Sequence, residues 1–143
     1  MKILVINGPN LNLLLKRNKN LYGTFDLKQI NKLVQKEFPS HTFNFVQSNV
    51  EGEIVIMIQN AESEYDGIII NPGGYAHTSV AIKDALDISK LPKIEVHLSN
   101  IAGREDFRQR LITATSCDGC IFGFKEKGYL AAIYILEKIS SAK

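Results

Sequence analysis

Hydrophobic residues along this chain gather in three short continuous runs: ILVI at residues 3–6, GIIIN at 67–71 and IEVHLS at 94–99. Unbroken β-branched runs of this length suit parallel strands covered by helices on both faces, because neither face meets water. A weaker alternating run, TFNFVQ at 42–47, and CIFGF at 120–124 bring the expected strand count to five. Between the runs, apolar residues recur at helical spacing: Leu27, Ile30, Val34 and Phe38, then Ile54 to Ile58 with Ala61, then Ser79 to Ile88 and Tyr129 to Ile139. Strand and helix alternate, which predicts a doubly wound α/β fold. Its five-stranded parallel sheet would form one three-layer domain over residues 1–143, with no repeat, low-complexity stretch or linker.

In such sheets ligands collect outside the carboxyl ends of the strands. Four polar stretches fall there: residues 7–23, 47–52, 71–78 and 97–108. The first, NGPNLNLLLKRNKNLYG, has asparagines, one arginine and one tyrosine where a phosphate-binding protein would carry glycines. Its Arg17 and Tyr22 are the pair with chemistry to offer, since a phenol can act as a base when a nearby guanidinium stabilises its anion. A first loop this long, with no evident secondary structure, reads as a lid over substrate spanning approximately residues 15–24.

The third stretch, NPGGYAHTS, uses Pro72 and two glycines to fix a turn and Thr78 or Ser79 to cap the next helix. A plain turn with a cap leaves Asn71 and His77 unused. An amide and an imidazole at the mouth of a strand suit a polyhydroxylated ligand. In the fourth, EVHLSNIAGREDFR, Glu95 and His97 are two apart on one strand and so share a face. A carboxylate beside an imidazole fixes its tautomer and steadies its charged form, as a general acid requires. For an isolated E-x-H a salt-bridged core histidine is the better explanation; the place at the strand's carboxyl end favours catalysis here. Arg104 and Arg108 would share a face if GREDFR opened a helix and could clamp a carboxylate, although taken alone a solvated basic turn paired with Glu105 and Asp106 explains them better.

Composition narrows the partners. With 45% hydrophobic residues, 22% charged residues and a net charge of +2, the chain lacks the basic balance of a nucleic-acid binder, so any anion must be held locally. No stretch reaches the roughly 18 apolar residues of a membrane span, and the opening KILVIN is strand-like rather than a secretory signal, so a cytoplasmic location without membrane contact is expected. Cys117 and Cys120 have CxxC spacing but lack the setting of a thioredoxin-like motif and a second ligand pair for zinc; they read as small residues leading into the last strand.

Several motifs then coincide. NGPNLNLL from Asn7, Arg17 with LYG at Leu21, QSNVEGE at Gln47, INPGGYAHTSVAIKDAL at Ile70, EVHLSN at Glu95 and REDFR at Arg104 stand in one order over nearly the whole chain. In this the sequence resembles the type II 3-dehydroquinate dehydratases. The resemblance implies a flavodoxin-like sheet, a homododecamer built as a tetramer of trimers, and dehydration of 3-dehydroquinate to 3-dehydroshikimate in the shikimate pathway with no cofactor or metal. It implies Tyr22 as general base, Arg17 as the cation that keeps it ionised, His97 with Glu95 as the acid, and Asn10 near the developing enolate. Substrate binding would fall to Asn71, His77, Leu98, Ser99 and Arg108, and Asp84 would reach a neighbouring subunit's site.

The sequence departs from the family's usual wording in its lid, at Leu15, Lys16, Asn18 and Lys19, and also at Val50 and at Ala102–Gly103. Other occupants of this architecture fit less well. A receiver module needs acidic residues where Asn7 and Asn71 stand, a flavin module wants a Ser/Thr/Gly-rich phosphate loop, and a nucleotide-using transferase needs glycine-rich patterns that are missing.

Overall fold

The computed structural model describes residues 1–142. Five parallel strands, β1 (Lys2–Asn7), β2 (Thr42–Gln47), β3 (Gly67–Asn71), β4 (Lys93–His97) and β5 (Gly119–Phe122), form one sheet in the order β2-β1-β3-β4-β5. This is the doubly wound order in which the chain reverses direction beside β1 and β3, opening a crevice at their carboxyl ends. The helices are α1 (Lys19–Tyr22), α2 (Leu27–Glu37), α3 (Glu51–Asn60), α4 (Val80–Ile88) and α5 (Lys127–Ser141).

Alternation along each strand divides the core in two. Ile3, Val5, Ile69, Ile94 and Val96 pack on one face against Ile30 and Val34 of α2 and Tyr129, Ile133 and Leu136 of α5. Leu4, Ile6, Ile68 and Ile70 pack on the other against Ile54 and Ile58 of α3 and Ile82 and Leu86 of α4. Each fully buried Ile or Leu contributes about 1.5–3 kcal/mol relative to exposure, and both faces must be filled for β3 to be apolar throughout. Local signals start the helices. Asp26 and Gln29 form a reciprocal capping box on α2, and the Ser79 hydroxyl accepts from the Ile82 amide at 3.0 Å to start α4.

Two expectations differ from the structure. The first loop is not featureless: residues Leu11–Lys16 form a 3-10 helix with Leu11 and Leu14 buried, and α1 is a single turn whose Asn18 side chain accepts from the Asn20 amide at 2.9 Å. GREDFR does not open a helix at Arg104, which is extended; only Asp106–Gln109 make a 3-10 turn. The Glu105 carboxylate sits between Arg104 and Arg108, holding the segment in a tight turn instead.

Close backbone approach brings the first and third loops together. The Gly8 amide donates to the Asn71 carbonyl at 2.8 Å, and a Cβ at Gly8 would overlap the Pro72 carbonyl oxygen. Gly73, at φ +61°, lies where a Cβ would come within 2.9 Å of the Pro9 carbonyl oxygen. Only glycine meets both demands without strain.

Candidate active site

At the carboxyl edge of the sheet lies a small cavity partly open to solvent. Arg17 and Tyr22 from the first loop, Asn71 and His77 from the third, and His97, Leu98, Ser99, Arg104 and Arg108 from the fourth line it. Asn10 and Asp84 are not on this wall, and Glu95 stands behind it, fully buried beneath His97.

On one wall Tyr22 is buried, with its oxygen held by two cations. The Arg17 guanidinium donates to it while lying 3.7 Å above the ring centroid, and Arg104 donates to the same oxygen at 2.6 Å. Arg104 also donates to the Ser99 hydroxyl at 3.1 Å, so it ties the first loop to the fourth. Partial burial pulls the Arg17 guanidinium below its usual range, a shift that Tyr22 opposes and Arg104 and Arg108 reinforce. No carboxylate lines the cavity among the described residues, so three guanidiniums face it and an anionic ligand is electrostatically favoured.

Elsewhere on the cavity the Glu95 Oε1 and the His97 Nε2 are 2.7 Å apart, and Thr113 donates its hydroxyl to the other Glu95 oxygen at 2.6 Å. A carboxylate only accepts, so Nε2 carries the proton toward Glu95 and Nδ1 is the ring's other nitrogen. His77 stacks on His97 with ring centroids 6.2 Å apart. Burial lowers the His77 pKa, partly opposed by its contact with the Arg110 carbonyl oxygen at 2.9 Å. A neutral His77 that donates from Nδ1 to that carbonyl keeps its Nε2 lone pair as an acceptor.

Asn71 serves the fold as well as the cavity. Its amide nitrogen donates to the Tyr129 hydroxyl at 3.1 Å, its oxygen accepts from the Gly73 amide at 3.1 Å, and Tyr129 donates onward to Asn7. Complete burial raises the Tyr129 pKa, so it remains a neutral phenol bridging the ends of β1 and β3. One N–H of Asn71 is left for a ligand.

The second stretch, expected to join the site, buttresses it instead. The Asn49 side-chain oxygen accepts from the Asn10 amide and from Gln47, each at 3.1 Å, and the Tyr75 hydroxyl donates to the Asn49 carbonyl at 2.8 Å. Asn10 itself stands in the left-handed region at φ +68°. Val50 is exposed.

Cys117 and Cys120 are free, as expected of small residues near β5. Cys120 lies opposite Glu95 in the sheet, and Glu95, His97 and Cys120 present ligand atoms within 4.8 Å of one another. Burial, and then Glu95, push the Cys120 thiol up to about 12, which disfavours the thiolate that metal ligation requires.

Two residues of this site are understated or invisible in the sequence. Arg104 stands in REDFR as one half of a possible clamp; its bond to Tyr22 spans 82 positions and needs the fold to be seen. Thr113 carries no motif at all. Arg17, Tyr22, Asn71, His77, His97, Leu98, Ser99 and Arg108 line one cavity, with Glu95 behind His97.

Comparison with known proteins places this geometry. The model of the family described as "Dehydroquinase class II" matches residues 1–137. The 3-dehydroquinate dehydratase of Fusobacterium nucleatum is 54% identical over 96% of this chain and 97% of its own length. That of Thermotoga neapolitana is 46% identical over 99% and 97%. Among solved structures, a type II dehydroquinase from Butyrivibrio crossotus superposes with a TM-score of 0.92 at 47% identity, covering 96% of this chain and 97% of that one. With a family match along almost its full length and relatives about half identical to it, the chain belongs to the class II dehydroquinases.

Proposed function

We propose that this protein dehydrates 3-dehydroquinate to 3-dehydroshikimate, a carbon–oxygen lyase step of the shikimate pathway, by anti elimination through an enolate. The observation that carries the reading is that one cavity brings together two groups of complementary chemistry: the Tyr22 oxygen under two guanidiniums, and the Glu95–His97 pair. An anti elimination needs a base and an acid on opposite faces of the ring.

The Tyr22 phenolate, stabilised by Arg17 and Arg104, takes the C2 proton adjacent to the substrate ketone. The electron pair moves into the C3 carbonyl to give an enolate, near which Asn10 orders a water. Collapse of the enolate expels the C1 hydroxyl while His97, steadied by Glu95, gives it a proton, and water leaves. The substrate carboxylate is held at Leu98 and Ser99 beside the guanidiniums, while Arg108, His77 and the free Asn71 N–H take ring hydroxyls. No metal or cofactor enters this scheme.

The same reading includes a homododecamer, a tetramer of trimers, in which Asp84 completes a neighbour's site. Its support is α4, where Val80, Asp84 and Ile88 recur at helical spacing and all are exposed, a face suited to a second copy. Location in the cytoplasm belongs to the reading too; two free thiols suit a reducing compartment.

Purified protein mixed with 3-dehydroquinate should develop the absorbance of a conjugated enone, before and after treatment with a chelator and with borohydride. Substrate deuterated at C2 trans to the departing hydroxyl should lose its label. Retention of that label, or no enone, would overturn the reading.

A further inference from the structure

The two oxygens of Glu95 are used differently. Oε1 meets the His97 ring, and Oε2 receives the Thr113 hydroxyl at 2.6 Å. All of this lies within the fold, since Glu95 and Thr113 are both wholly buried. We propose that Thr113 is a positioning residue for the acid half of the reaction: by holding Oε2 it sets the plane of the Glu95 carboxylate and, through it, the tautomer and orientation of His97. The inference rests on the function proposed above and adds a residue to it.

The terminal torsion of a glutamate is broad, so a carboxylate bound at one oxygen only can rotate about its axis. A second donor removes that freedom, and a charge-assisted hydrogen bond to a desolvated carboxylate is among the stronger ones available. The donor is itself well anchored. Thr113 opens the 3-10 turn Thr113–Ser116, which packs against α4 and β4, and the Ile112 amide before it donates to the Ala76 carbonyl at 2.8 Å. That bond joins the turn to the loop carrying His77, so one short segment braces both imidazoles. The ionisable groups facing the pair from neighbouring elements are Cys120 on β5, Cys117 beyond the turn, His77, and Arg104 and Arg108 across the cavity.

The test compares Thr113→Val, which keeps the shape and removes the hydroxyl, with Thr113→Ser, which keeps the hydroxyl. Partners that orient a functional histidine typically matter by about 10–100-fold. Thr113→Val should lower kcat by about that factor with little change in KM, and the basic limb of its kcat–pH profile, where the acid half loses its proton, should move from its wild-type position. Thr113→Ser should restore both. A readout independent of turnover is the low-field proton resonance of the His97 Nε2–H bonded to Glu95: present in wild type and Thr113→Ser, displaced or broadened in Thr113→Val. If Val fails to fold at this position, Thr113→Ala carries the same comparison. Unchanged kcat, profile and resonance in the hydroxyl-free variant would overturn the inference, as would a serine variant as impaired as valine. Wild-type protein inactive on dehydroquinate but showing the resonance effect would instead sink the function and leave the hydrogen-bond chain standing.

Discussion

The two walls of the cavity are built by opposite means. The acid wall grows from β4, a strand buried on both faces, and its histidine is held by a glutamate two residues away and by a threonine in a packed turn. The base wall grows from a surface loop, and its tyrosine is held by one arginine five residues away and another 82 residues away. A sheet supplies the first arrangement as a by-product of strand alternation, so it is rigid before any ligand arrives. The second depends on the contact between the first loop and the fourth. Under the proposed mechanism, catalysis then divides into a fixed acid and a base assembled by closure, which would also exclude water from the developing enolate.

The sharpest way to break that comparison is to remove the base's reacting atom alone. Tyr22→Phe should lower kcat by about 10³-fold, within the usual range for a positioned general base, while substrate affinity stays near wild type. Steady-state kinetics with a separate binding titration decides it; a variant that still turns over freely would leave the base wall without a role. A smaller effect is expected from the distant tether. Arg104→Ala should reduce kcat by about 10²-fold, comparable to Arg17→Ala, because each removes one charged donor from the same oxygen. It should also raise KM by removing one of the three guanidiniums on the cavity. If only Arg17→Ala matters, the lid makes its base without help from the fourth loop, and the contrast between the walls weakens.

Legibility in the sequence follows the same division. Continuous apolar runs identify β1, β3 and β4, and the spacing of Glu95 and His97 alone puts them on one face, because period-two geometry is a local property. Arg104 is ambiguous for the opposite reason: a helix starting at GREDFR would turn it beside Arg108, whereas Glu105 binds both arginines in a tighter turn and frees Arg104 to reach Tyr22. Thr113 lies in a stretch whose only distinction is its packing against Glu95. The order within the lid leaves no trace in the hydrophobic pattern, because a 3-10 helix and one turn of α-helix are too short to show a period.

That short turn gives the mildest perturbation of the base wall. The lid leaves its family's usual wording at LKRNKN, and the structure gives part of that stretch a local purpose: Leu14 just ahead of it is buried in the core, and Asn18 caps the single turn that ends in Tyr22. A helix this short has almost no intrinsic stability, so its cap is a large share of what holds it. Removing an asparagine cap costs about 1 kcal/mol, equivalent to roughly a fivefold fall in the population of the ordered turn. Asn18→Ala should therefore lower kcat/KM by about fivefold at unchanged melting temperature, and Asn18→Ser should recover most of the loss. Viscosity dependence of kcat provides the finer reading, since a looser lid shifts the limiting step from opening toward chemistry. Equal activity of all three proteins would mean that Leu14 and the two arginines hold the lid unaided, and the base wall would be nearly as preformed as the acid wall.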